Sequence, residues 1–98
     1  MILEIATISI APGKVADFEA AYREARKVIT RAPGCGAVSL QRSIESPGRY
    51  VLLVEWPTLA HHTEGFRHSP LFKEWRRLIG PYFAAAPVVE HHELVAAS

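Results

Sequence analysis

Between Tyr50 and Trp75 an apolar run, Tyr-Val-Leu-Leu-Val-Glu-Trp, meets Pro57 and passes straight into a segment loaded with His, Arg and aromatic residues. β-branched and aromatic residues over seven positions specify a strand, and Pro57 ends it. The polar groups that follow therefore stand at the rim of whatever the strand buries. Its centre is apolar on both sides, since Val51 and Leu53 alternate with Leu52 and Val54, so neither face of this strand is suited to water. A fold that uses it must cover both faces of a sheet.

The remaining elements follow from periodicity and punctuation. Residues 2 to 10 alternate Ile2, Glu4, Ala6, Ile8 and Ile10 with Leu3, Ile5, Thr7 and Ser9, which predicts a first strand. Pro12-Gly13 breaks the chain, and Val15, Phe18, Tyr22, Ala25 and Ile29 then recur at three and four, the stripe of a helix over Lys14 to Arg31. Pro33-Gly34 ends that helix. Val38 to Ile44 and Arg49 to Trp56 flank Glu45-Ser46-Pro47-Gly48 and predict an antiparallel hairpin. Thr58 is placed to cap a short helix from Leu59 to about Phe66, and Ser69 with Pro70 to start another that Gly80-Pro81 stops. Pro87 to Val95 reads as a last strand. The order βαββααβ predicts an α+β, ferredoxin-like domain over residues 1–98, with a four-stranded antiparallel sheet and helices on one face.

Bulk properties narrow the function. A single chain of 98 residues buries only about 60 to 70% of the surface it exposes when unfolded, yet 49% of its residues are hydrophobic, and that surplus predicts a homodimer. Eleven Lys and Arg against ten Asp and Glu give no electrostatic case for nucleic acid or an anionic membrane. A small neutral or weakly acidic ligand fits that balance better, and a small aromatic or hydrophobic molecule is the expected partner. Cys35 stands alone, which predicts a reducing, cytoplasmic setting, and no stretch reads as a signal peptide or a bilayer span.

The chain resembles the antibiotic biosynthesis monooxygenase family, on Glu55-Trp56 closing a strand, a short helix, and Ser69-Pro70 opening the next, with Pro12-Gly13 and Pro33-Gly34 at matching breaks. That resemblance implies a dimeric α/β barrel, in which two sheets pack together and each ligand pocket lies between a sheet and its own helices. It implies a cofactor-independent monooxygenase acting with O2 on a quinol-like or aromatic polyketide-like molecule. The alternative is a non-catalytic protein that binds a small hydrophobic metabolite on the same scaffold. Many relatives carry a His where this chain has Gly65, and the haem-degrading branch needs a ligand His near Trp75 and Arg76, so haem is not expected there.

Candidate chemistry falls on few residues. His62 is the first choice for a base, because an imidazole titrates near neutrality, while His61 sits about 100° around the same helix. His91 and His92 alternate across the last strand, and the Val-Glu-His phrase favours His91. Arg67 is placed to hold an anionic oxygen, with Tyr82 orienting a second. Trp56, Phe66, Trp75, Tyr82 and Phe83 are candidate walls for an aromatic ligand. Adjacent His pairs do not make a metal site, since neighbours diverge on helix and strand alike. A composite of His62, His91 and a carboxylate such as Glu55 is the one metal arrangement left open, and no cofactor fingerprint occurs.

Overall fold

The computed structural model describes residues 1–98. Strand β1 (Ile2–Ser9) leads into helix α1 (Val15–Ile29), and the hairpin of β2 (Val38–Arg42) and β3 (Arg49–Trp56) follows. A helical segment over residues 59–66 comes next, then helix α2 (Pro70–Ile79), a single 3₁₀ turn (Gly80–Tyr82) and strand β4 (Val88–Glu93). All three strand pairings are antiparallel and the sheet order is β2-β3-β1-β4, the ferredoxin-like arrangement that the element order predicts. No helix is long and apolar enough to cross a membrane.

One face of the sheet makes the core. Alternation puts Glu4, Ala6 and Ile8 of β1 and Tyr50, Leu52, Val54 and Trp56 of β3 under the helices, where all are buried. From above, α1 contributes Phe18, Ala25 and Ile29, and α2 contributes Trp75 and Ile79. The other face carries Leu3, Ile5, Val51 and Leu53, each only half buried, with no helix over them. Glu55 belongs to that open face, beside Gly36, so it stands on the far side of the sheet from the helices.

Three expectations change in detail. Strand β2 stops at Arg42 because Ser43 enters the turn, where its Oγ accepts the Ser46 amide, and Ile44 swings out to 93% exposure. Ser69 does not cap α2 with its side chain, because its hydroxyl donates back to the Phe66 carbonyl instead. Residues 61–66 wind more widely than an α-helix: the Arg67 amide bonds to the His62 carbonyl, five residues back. Such wide turns hold one extra residue and are common at functional sites. Thr58 Oγ1 does meet the His61 amide, at 3.3 Å.

Candidate functional site

The strand register assembles the site. Glu4 of β1 stands directly across from His91 of β4, and Ile2 stands across from Trp56 of β3, so Trp56 lies diagonally beside Glu4 on the same face. Trp56 donates its indole N–H to Glu4 Oε1 at 3.0 Å. The wide turn then lowers His62 onto this platform, with its ring stacked on Trp56 at a centroid distance of 5.4 Å and an interplanar angle of 15°. Phe66, four residues on, stacks on the same indole.

His62 is engaged at both nitrogens. Its Nε2 lies 3.3 Å from Glu4 Oε1, and its Nδ1 lies 2.7 Å from His91 Nε2. Glu4, His62 and His91 thus form a continuous chain of proton-carrying groups, from a carboxyl 4% exposed to an imidazole at the edge of the helical layer. Burial pushes the Glu4 carboxyl above the ordinary carboxylate range, against the opposing pull of the Trp56 N–H and the nearby Arg67 charge. Burial likewise pulls His62 down to about 4, helped by the positive fields of Arg67 and His91, and His91 is lowered by the same burial and by Arg67. Desolvation is the largest influence at both ends of the Glu4–His62 contact, raising the carboxyl and lowering the imidazole, which makes the carboxyl a stronger base than a solvated one.

Above the platform is a cavity of about 360 Å³, ten of whose fifteen lining residues are hydrophobic. That volume is within the range of small-molecule sites. Glu4 and His62 supply its polar floor, Phe66, Phe72, Trp75 and Phe83 its aromatic walls, and Arg67 and Arg76 two guanidinium groups.

Of the residues picked out from the sequence, His62, Arg67, Phe66, Trp75 and Phe83 line this cavity. His91 faces the helices and reaches the site through His62, whereas His92 points away and pairs with Glu90. Trp56 is wholly buried beneath His62, so it supports the floor without meeting the cavity. Tyr82 is outside the lining: the backbone is extended at Phe83, so adjacent side chains diverge, and Phe83 turns inward instead. Glu55 cannot join His62 and His91 in a composite metal site from the opposite face of the sheet. The carboxylate at that place is Glu4, which sequence reasoning missed. Its signal was a single acid in step with Ala6, Ile8 and Ile10 on an otherwise apolar strand face, an expensive placement that burial permits only with partners.

Comparison with known proteins agrees with this architecture. Residues 1–78 match the family model described as antibiotic biosynthesis monooxygenase. A crystal structure from Bordetella bronchiseptica bearing that family's name superposes with a TM-score of 0.94 at 49% identity, covering 97% of each chain. One from Caulobacter crescentus CB15, of the same family name, gives a TM-score of 0.80 at 30% identity over 97% of this chain and 90% of that one. The protein YczJ of Bacillus subtilis (strain 168) is 40% identical over 93 residues, 95% of this chain and 98% of its own. The chain belongs to the antibiotic biosynthesis monooxygenase family.

Proposed function

We propose that this protein is a cofactor-independent monooxygenase that oxidises a quinol-like or other phenolic aromatic molecule with O2 in the cavity above Glu4 and His62. The observation that carries the reading is a buried carboxyl–imidazole pair at the floor of an aromatic-walled cavity. Family membership supports a monooxygenase-like or small-molecule-binding role, and the floor gives it chemical content. A phenol reacts with O2 slowly until it is ionised, because the phenolate is the better electron donor. Glu4 and His62 are the groups positioned to take that proton, and His91 extends the chain so that it can be passed outward. Arg67 adds a positive field where the oxyanion forms.

In the simplest balanced form, a phenol with a free ring position and one O2 give a quinone and one water. One oxygen atom becomes the new carbonyl, the other leaves as water, and all four electrons come from the substrate. The protein's part is an ordered, largely dry pocket and the movement of protons. Measurement of O2 uptake with a panel of hydroquinones and naphthols tests this directly. One O2 consumed per molecule oxidised, with one oxygen atom added to the ring and water rather than hydrogen peroxide as the other product, is the expected result. Tight binding with no uptake would instead make the protein a carrier of a small hydrophobic molecule.

We also propose that two copies pack through their open sheet faces, because Leu3, Ile5, Val51 and Leu53 form an apolar surface there with nothing of their own chain above it. Sedimentation at micromolar concentration should give about twice the 10.9 kDa chain mass. Leu53→Asp should dissociate or unfold the assembly, since an unpaired carboxylate is costly to bury. A wild-type monomer would refute the pairing.

A further inference from the structure

The cavity has a second polar end. Arg76, on α2, lines it with Phe72, Ile79 and Phe83, and its Nε comes close to Gly80. The turn that follows is hydrogen-bonded to the end of β1, the Ala11 amide to the Tyr82 carbonyl and the Ala84 amide to the Ser9 carbonyl, whereas Glu4 lies near the start of that strand. The Arg76 guanidinium lies over the Phe72 ring, 5.8 Å from the centroid, so the head group stands beside an aromatic wall of the cavity. No carboxylate pairs with it, whereas its neighbour Arg77 is held by Glu74. Arg76 is also shared with a shallow outer groove that carries Lys73 and Arg77, so the rim on this side is basic. Arg67 belongs to the other end, where its charge acts on Glu4, His62 and His91 alike. The cavity thus carries two guanidinium groups, Arg67 and Arg76, with Glu4 as its one carboxyl and no carboxylate paired with Arg76.

From this arrangement we infer that the substrate is a hydroxylated aromatic carboxylate, seated with its hydroxyl on Glu4 and His62 and its carboxylate on Arg76 at the basic rim. The inference rests on the reading of this cavity as the ligand site and adds a permanent negative charge to the substrate class. A planar guanidinium recognises a carboxylate through two parallel N–H donors, a geometry that a neutral amide or alcohol cannot match. The aromatic walls between the two ends take the ring body. Arg76 is therefore a specificity-determining residue: it selects and orients, and does not touch the reacting oxygen.

Binding, not turnover, tests this. The fluorescence of 6-hydroxy-2-naphthoate and of its neutral counterpart 6-hydroxy-2-naphthamide is followed on titration with the full chain. The carboxylate should bind about tenfold tighter or more, the scale of one charge-assisted bidentate contact. Arg76→Gln should remove the preference while leaving the melting temperature in place, because the side chain is exposed. Arg77→Gln, outside the cavity, should keep it. Equal affinities, a preference for the amide, a preference that survives Arg76→Gln, or binding of neither probe at millimolar concentration would each overturn the inference. Tight, Arg76-dependent binding of the naphthoate without O2 uptake would sink the oxygenase reading and leave the carboxylate assignment standing.

Discussion

Two carboxylates in this molecule each accept a hydrogen bond from an aromatic side chain of β3, and they behave in opposite ways. Glu4 takes the Trp56 indole N–H within the sheet's helical face. Glu19, on α1, takes the Tyr50 hydroxyl and pairs with Arg42 at 3.2 Å near the surface. Burial drives the first carboxyl up. Hydrogen bonding to Tyr50, with the Arg42 and Arg23 charges, drives the second down, and Tyr50 itself is pushed up to about 12 by burial and by Glu19. The aromatic partner is common to both, so what decides is water: one acid has lost its solvent without gaining a paired cation, and the other has kept both. Perturbation of the first kind, at a cavity, marks chemistry, while the second is an ordinary surface clamp.

The largest effect should separate them outright. Glu4→Gln keeps the shape of the floor but cannot carry a proton, and should lower turnover of an oxidised phenol by about a hundredfold or more, whereas Glu19→Gln should leave it unchanged. Similar losses in both variants would erase the distinction. His62→Ala should show a comparable loss of turnover, with some loss of stability because it also empties a buried position stacked on Trp56, while His61→Ala should be close to neutral.

Stability against pH sharpens the same contrast. His62 is neutral in the folded protein down to about 4, while in the unfolded chain it takes up a proton near 6.5, so its contribution is present above 6.5 and is lost as pH falls from 6.5 toward 4. Glu4 works in the other direction: its raised folded pKa makes its contribution full below 4.5 and lost as pH rises through the folded value. Glu19, being lowered, contributes above 4.5 and loses that as pH falls further. Thermal melts between pH 4 and 8 should show a smaller acid-side fall in His62→Gln than in the wild type, and a smaller alkaline-side fall in Glu4→Gln. An unchanged acid limb in His62→Gln would show that the imidazole is not the titrating group. The smallest effect belongs to the surface clamp, where Tyr50→Phe should cost only about 1 kcal/mol in denaturant melts, the net worth of one hydrogen bond.

How far the sequence carried can be judged at particular residues. The strands and helices were legible because Ile8, Leu52 and Phe18 follow their periods and because Pro-Gly and Ser-Pro steps mark the breaks. His62 and His91 were legible as candidates one by one. That they touch was not, since the contact depends on which residues of β1 and β4 pair and on an extra residue wound into the turn. Glu4 was visible as an oddity on a strand face, but its function needs Trp56 and His62 beside it, and those come from 52 and 58 positions away in the chain. Tyr82 was misplaced because one step of extended backbone decides which of two adjacent aromatics turns inward.

The wide turn at residues 61–66 makes the position of the imidazole a matter of counting. An α-helix accommodates such a turn by holding one additional residue, so the face shared by His62 and Phe66 depends on the length of this segment as much as on its composition. Loss of one residue between them, at Gly65 for example, would remove the residue that the wide turn absorbs and tighten the segment toward α geometry, shifting His62 relative to Phe66 while leaving both side chains chemically intact. A lineage could therefore gain or lose this floor through an indel in a short helix, and two homologues with the same His, Phe and Arg could differ in chemistry for want of a single glycine.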